Sequence, residues 1–265
     1  MKIATWNVNS LRARIDRVEG WIAEHEPDVL LIQETKCSDE NFPSEVFGRH
    51  GYETIHHGNG QWNGVAVISR VGIDEPRGGF FDDDLESIAE CRIVSAMCAG
   101  IRCTSVYVPN GRSVDSEHYL AKLEWLRRLR VELDECCTPE TPIALGGDYN
   151  IAPEDQDVWD IQQFAGMTHV SPAERAALRD VMEFGLTDAL RYLHPSGPGP
   201  FSWWDYRAGA FHRGWGMRID HILVTKPLVD RLINVEVDRE ARKGSKPSDH
   251  APVVLELSSS DDADS

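Results

Sequence analysis

Asn7, Glu34, Tyr107, Asp148, Asn150, Asp220 and the pair Asp249-His250 stand in short polar clusters at or just beyond the ends of apolar, strand-like runs. The clusters are Trp6-Asn7-Val8-Asn9, Gln33-Glu34-Thr35-Lys36, Tyr107-Val108-Pro109-Asn110-Gly111, Gly147-Asp148-Tyr149-Asn150, Arg218-Ile219-Asp220-His221 and Ser248-Asp249-His250. Strands deliver residues to a common edge, so clusters remote in sequence can meet there. Carboxylates, amides, a phenol and an imidazole gathered at one edge suit metal-assisted attack on a phosphate. Any one cluster alone reads more readily as a turn or strand cap than as chemistry, because Asn, Asp and Gly favour turns. Two of the acids argue otherwise. Glu34 follows Val29-Leu30-Leu31-Ile32 and Asp148 follows Ile143-Ala144-Leu145, continuous apolar runs expected of strands buried on both faces with the acid emerging at the end. The set reads as a phosphodiesterase site.

The elements that must position these residues are legible in outline. A strand at Lys2 to Val8 precedes Leu11, Ile15, Val18 and Ile22 at helical spacing, with Ser10 the expected N-cap and Pro27 ending the segment before the strand at Val29 to Ile32. Short runs at Gly64 to Ser69, Ile93 to Cys98 and Ile101 to Val108 follow, the last two joined by a hairpin at Ala99-Gly100. An amphipathic helix from Ser116 to Glu135 rests on Tyr119, Leu123, Leu126, Leu129 and Leu133, and leads to a strand at Pro142 to Leu145. The second half repeats the rhythm, with a helix from Pro172 to Phe184 stopped by Gly185 and strands at Arg218 to Val224, Ile233 to Val237 and Pro252 to Leu257. Many strands and few helices are best buried as two sheets with helices outside both, an α/β (α+β) architecture.

A phosphodiester is shielded by its own charge, so a hydrolase must neutralise oxygens, activate water and stabilise the leaving alkoxide. Glu34 is the foremost metal ligand. Mg²⁺ is the expected ion, with Mn²⁺ as its substitute, because Mg²⁺ keeps several waters and needs only one or two carboxylates. Asn7 supports it, directly or through a bound water. Asp148 and Asn150 share a face if Gly147 to Ile151 is extended. Asp148 is then the candidate general base, with two alternatives open: a second-metal ligand, or a group polarising Tyr107. Tyr107 and Asn110 could hydrogen-bond the scissile phosphate and its neighbour.

The segments WNVNSLRAR, LIQETK, VYVPNG, GDYNIAP, FSWWDYR, RIDHILV and KPSDHAPV, in this order from about Met1 to Leu257, resemble the exonuclease III branch of the endonuclease/exonuclease/phosphatase superfamily, the bacterial apurinic/apyrimidinic (AP) endonucleases. The resemblance implies a four-layer αββα sandwich, two packed mixed sheets flanked by helices, with the site at one edge of the sheet pair. It implies that Asp220 orients His250, that His250 contacts the scissile phosphate and that Asp249 lies near the metal. Trp203, Met217 and Ile219 match positions lining the family's abasic-sugar pocket, a small apolar recess for a flipped deoxyribose. Met217 falls where the family's side chain varies, so selectivity for abasic sites is the least constrained of these properties. The implied activity is Mg²⁺-dependent hydrolysis of duplex DNA 5′ of abasic sites, with 3′-phosphatase, 3′-phosphodiesterase and 3′→5′ exonuclease trimming of blocked 3′ ends.

A formal net charge of −17 opposes a nucleic-acid partner, since phosphate binding is largely electrostatic. Its distribution is uneven. Acids gather at Asp82 to Glu86, in Glu132 to Glu140 and in the tail, whereas Tyr206 to Ile219 carries Arg207, Arg213 and Arg218 without an acid. Arg239 to Lys246, including Lys243 and Lys246, forms a basic lip before Asp249 and His250. Arg218, Lys243 and Lys246 are therefore expected phosphate contacts, because local charge decides what a cleft tolerates. Residues 1–257 read as one domain and 258–265 as an acidic, disordered tail. No apolar stretch reaches a membrane-spanning length and the N-terminus opens as a strand, so a cytoplasmic monomer is expected, with no membrane partner. Six cysteines without CxxC pairs give no sign of a zinc site or disulfide scaffold. Two other functions fit parts of this pattern. A lipid or inositol phosphate phosphodiesterase would share the chemistry but lacks an amphipathic anchor here, and a non-catalytic DNA-end binding module would need a broken catalytic set.

Overall fold

The computed structural model describes residues 1–83 and 90–259. In chain order its elements are β1 (Lys2–Asn7), α1 (Leu11–His25), β2 (Val29–Gln33), α2 (Ser44–Gly48), β3 (Glu53–His57), β4 (Val65–Ser69), β5 (Asp74–Gly78), β6 (Ile93–Cys98), β7 (Ile101–Tyr107), α3 (Glu117–Cys136) and β8 (Ile143–Asp148). Then come α4 (Pro172–Met182), β9 (Leu186–Asp188), α5 (Ala189–Leu193), β10 (Trp203–Trp204), β11 (Gly216–Met217), β12 (Asp220–Thr225), β13 (Leu232–Val237) and β14 (Val253–Leu257), with single turns of helix between. Among the described residues two six-stranded sheets form, ordered β13-β14-β1-β2-β4-β3 and β5-β6-β7-β8-β12-β9, together with a β10-β11 ribbon. Both sheets are mixed, because β1 runs parallel to β2 and β7 parallel to β8 while their other pairings are antiparallel.

Alternation along the central strands explains the layers. Ile3, Val29, Leu31, Val65 and Val67 of the first sheet meet Val94, Ala96, Cys103, Ala144, Ile222 and Val224 of the second in one buried cluster. The opposite faces are equally apolar. Ala4, Leu30 and Ile32 pack under Val18, Trp21 and Ile22 of α1, while Ile143 and Leu145 pack under Leu126, Leu129 and Leu133 of α3 and Leu178 and Val181 of α4. The expected four-layer sandwich is the observed one, and strands covered on both sides read as unbroken apolar runs for that reason.

Several boundaries differ. Ser10 has φ 86° and makes no side-chain cap to α1. Its backbone N–H instead donates to Glu34 O at 2.7 Å, and Leu11 N–H to Thr35 O at 3.1 Å, so the helix start is capped by the loop carrying Glu34. The expected strand Pro142 to Leu145 runs on to Asp148, since two glycines let β8 pass close to its neighbours: a Cβ at Gly147 would lie 1.9 Å from Val106 O. Helix α4 opens with a capping box between Ser171 and Glu174 as well as Pro172. The hairpin at Ala99-Gly100 pairs Cys98 with Ile101 as expected, and Cys98 and Cys103 are buried free thiols. Residues 84–86 of the acidic cluster and 260–265 of the expected tail lie outside the described residues.

Candidate active site

Strand register builds the site. In the second sheet Tyr107 pairs with Asp148, and Asp148 with Asp220, so the ends of β7, β8 and β12 set three functional side chains in one row. In the first sheet Asn7 pairs with Gln33, the residue before Glu34. Glu34 leaves the strand with φ 54°. Asn7 joins the two sheets: its Nδ2 donates to Glu34 Oε1 at 2.8 Å and to Asp148 Oδ2 at 2.9 Å. Its Oδ1 accepts the Asn9 N–H at 2.9 Å. Turning the amide over would set its NH₂ against that N–H, so in this orientation Asn7 aligns the two carboxylates.

Burial alone would raise the Glu34 pKa, but the Lys36 charge and the Asn7 hydrogen bond hold it below the usual carboxylate value. Lys36 Nζ lies 2.7 Å from Glu34 Oε2. Asp148 is pushed up to about 7, chiefly by burial and against the pull of His250. His250 goes the other way. Burial would depress it, yet Asp220 and Asp148 lift it to about 10. His250 Nδ1 donates to Asp220 at 2.9 and 3.1 Å, and Nε2 stands 3.7 Å from Asp148 Oδ2. Asp220 is itself held by Ser202 Oγ, which donates to its Oδ2 at 2.6 Å. Trp6 Nε1 donates to His250 O at 3.2 Å. The bond to Asp220 fixes the His250 ring, and the Asp220 and Asp148 charges favour its protonated form.

Ligand atoms of Glu34, Asp148 and His250 lie within 4.8 Å of one another. The oxygens of Glu34 and Asp148 are a donor set that fits a hard divalent cation keeping most of its waters, with His250 Nε2 on the same cluster. Asp249 has partners of its own. Its Oδ1 accepts from Asn9 Nδ2 at 3.0 Å and its Oδ2 from Trp203 Nε1 at 3.1 Å, because consecutive residues on extended backbone face opposite ways.

Burial, followed by the Glu34 and Asp148 charges, raises the Tyr107 pKa and keeps the phenol protonated. Asn150 has φ 52°, which removes the premise of an extended Gly147 to Ile151. Its N–H folds back to Asp148 Oδ1 at 2.9 Å, its Nδ2 donates to Val108 O at 3.0 Å and its Oδ1 accepts from Asn110 Nδ2 at 3.0 Å. The amides of both expected residues do meet beside Asp148, through a left-handed turn.

The substrate contacts fare unevenly. Arg218 is 1% exposed, held by Asp157 and Asp188 at 2.6 to 3.1 Å and by His221, so it is a buried strut and not a phosphate contact. Met217 and Ile219, 3% and 2% exposed, pack with Ala152, Val158 and Val170, and only half-buried Trp203 presents surface to the cleft. Lys243 pairs with Glu240 at 2.6 Å, whereas Lys246 is exposed without an ion-pair partner among the described residues. Sequence reasoning gave no role to Asn9, Lys36 and Ser202, although all three stand in the quoted segments, and missed Lys122, Glu174 and His169. The Ser171-Pro172-Ala173-Glu174 capping pattern was the one available signal, and it pointed to a helix start, not a site.

The family sequence pattern described as "Endonuclease/Exonuclease/phosphatase family" matches residues 4–250. The chain belongs to this family. It is 35% identical over 268 residues to exodeoxyribonuclease III of Haemophilus influenzae, covering 97% of this chain and 100% of that protein. It is 30% identical to an exodeoxyribonuclease of Bacillus subtilis, covering 96% and 98%. An AP endonuclease structure from Archaeoglobus fulgidus superposes with a TM-score of 0.93 at 38% identity, covering 98% of this chain and all of that one. A 3′-5′ exonuclease from Neisseria meningitidis matches equally, at 0.93 and 37% with the same coverage. The family supplies the hydrolase class, and Glu34, Asp148 and His250 form a cluster that could hold a metal ion.

Proposed function

We propose that this chain is a DNA-repair phosphoesterase, a cytoplasmic monomer that hydrolyses duplex DNA 5′ of abasic sites and trims blocked 3′ ends, with Mg²⁺ or, in its place, Mn²⁺. The observation carrying this reading is the continuous chain from Glu34 through Asn7 and Asp148 to His250 and Asp220, buried at its centre and open at Glu34. Glu34 and Asp148 would hold the cation, which when bound supplies positive charge for the phosphate oxygens and the leaving alkoxide. His250, charged and anchored by Asp220, donates to a non-bridging oxygen. Asp148, with a pKa near 7 and lone pairs left over after Asn7 and Asn150, is poised to take a proton from water. Tyr107 and Asn110 line the same edge and orient the phosphate. The complete set weighs against a non-catalytic DNA-end module. No described helix is long and apolar enough to cross a membrane.

A second reading, 3′-end trimming as the dominant activity, is favoured by one observation. Met217 and Ile219 are 3% and 2% exposed and pack with Ala152, Val158 and Val170, which leaves little of either side chain for a flipped sugar to touch. A structure of a 3′ phosphatase from Neisseria bound to a product DNA hairpin, 37% identical to this chain, stands beside the AP endonuclease among its relatives. Labelled duplexes with an abasic analogue, a 3′-phosphate or an undamaged recessed end, each incubated with Mg²⁺ and with EDTA, separate the two. Abasic incision lost in EDTA supports the first. Release of 3′-phosphate without incision supports the second, and no Mg²⁺-dependent product from any duplex refutes both.

A further inference from the structure

Behind the site lies an ion pair that the chemistry above leaves unused. Lys122 of α3 and Glu174 of α4 are hydrogen-bonded, and each side chain is 0% exposed. Taking two charges out of water does not by itself stabilise a fold, and apolar residues of similar volume often serve as well. What distinguishes this pair is where its other bonds go. The ammonium has three protons. One goes to Glu174, one to Asn150 O at 2.8 Å, and the third reaches Asn110 O at 3.4 Å. Glu174 in turn accepts from Thr168 Oγ1 at 2.7 Å, His169 N at 3.0 Å and Ser171 N at 3.2 Å. His169 Nδ1 meets the same Asn150 carbonyl at 2.5 Å.

That carbonyl matters because of the turn it fixes. Asn150 turns with φ 52°, a left-handed conformation that Asn tolerates better than other side-chain-bearing residues, and this directs its carbonyl to Lys122 and His169. In the same turn its N–H donates to Asp148 Oδ1. The Asn110 end is gripped by the same ammonium, so the loops after β7 and β8 are tied to one point. We propose that the Lys122–Glu174 pair is a positioning device for phosphoester hydrolysis, pinning the Asn150 and Asn110 carbonyls so that Asp148 bears correctly on the reacting phosphate. This rests on the function proposed above.

The test measures steady-state kinetics on the 3′-phosphate and abasic duplexes, with melting temperature, for wild type, Lys122→Met and Lys122→Met/Glu174→Met. The single variant leaves a buried carboxylate unpaired and loses stability. The double variant removes both charges, so its melting temperature returns toward wild type while kcat stays down by about 10- to 10²-fold with KM little changed, the scale of a misplaced catalytic group. A merely structural pair gives the opposite outcome: kcat recovers along with stability, and the proposal falls. Should the double variant not fold, Lys122→Arg decides. It keeps the charge beside Glu174 but replaces a three-pronged donor by a planar fork, and a folded Lys122→Arg with wild-type kcat overturns the proposal. Wild type inactive on every duplex refutes the proposed function. An active wild type with an unimpaired double variant refutes only the positioning role.

Discussion

Replacing Asp220 by Asn tests the electrostatics of the site with little change in shape. His250 is lifted from 6.5 to about 10 against the pull of burial, and the Asp220 charge is the largest favourable cause. That elevation corresponds to about 5 kcal/mol in favour of the imidazolium, at ~1.4 kcal/mol per unit. If Asp220 supplies about half of it, Asp220→Asn lowers the His250 pKa by about 2 units, and the ring loses the carboxylate that fixes its orientation. A folded-state pKa above the ordinary value contributes stability that is present below pH 6.5 and lost as pH rises toward 10. The melting-temperature gap between wild type and variant should therefore be widest near pH 6 and close toward pH 10. Turnover on the 3′-phosphate duplex should fall about 10²- to 10³-fold at pH 7.5, with the alkaline limb of the pH profile moving down by about 2 units. NMR titration of the His250 ring gives the shift independently. A variant with wild-type turnover and an unmoved alkaline limb would refute the reasoning.

Asp148, at about 7, should give the acid limb of the wild-type profile; because a cation favours the carboxylate, raising Mg²⁺ should move that limb to lower pH, and a limb indifferent to Mg²⁺ would place the metal elsewhere. Lys246→Ala should reduce the slope of log K against log[salt] for duplex binding by about one unit, whereas Lys243→Ala, already paired with Glu240, should change it much less; equal slopes in both variants would mean this lip is not at the DNA. Trp203→Ala should impair abasic incision more than 3′-phosphate release, since Trp203 alone of the three apolar positions presents surface, and equal loss on both substrates would assign it to packing.

Sequence carried the fold well where one physical rule dominated. Runs such as Val29 to Ile32 are apolar on both faces because both faces are covered, by α1 and by the second sheet. Glu34 and Asp148 were legible because each ends or follows a buried strand, whereas Asp220 opens β12 and His250 precedes β14, and these two were legible through the RIDHILV and KPSDHAPV segments. Features that depend on chain crossing were not. Lys122 and Glu174 are 52 residues apart, and each reads as an ordinary charged residue of an amphipathic helix. Asn150 looked like the continuation of a strand, since φ at a single residue leaves no periodic trace. Arg218 read as a surface cation because nothing local announces that Asp157 and Asp188, 61 and 30 residues away, close around it. The partners of Asp249, Asn9 and Trp203, are likewise distant in sequence and left no local trace.

The measurement closest to the central claim is Mn²⁺ binding, followed by electron paramagnetic resonance, in wild type and Glu34→Gln, paired with turnover on the 3′-phosphate duplex over the same metal titration. Glu34 supplies a carboxylate oxygen at the open end of the Asn7-bridged pair. Wild type should bind the ion and gain activity over one concentration range, and Glu34→Gln should move both curves together to concentrations at least about tenfold higher, the scale of one lost charged ligand. Coincident curves for the two proteins, or metal binding that moves while turnover does not, would contradict the assignment of this cluster as the hydrolytic site.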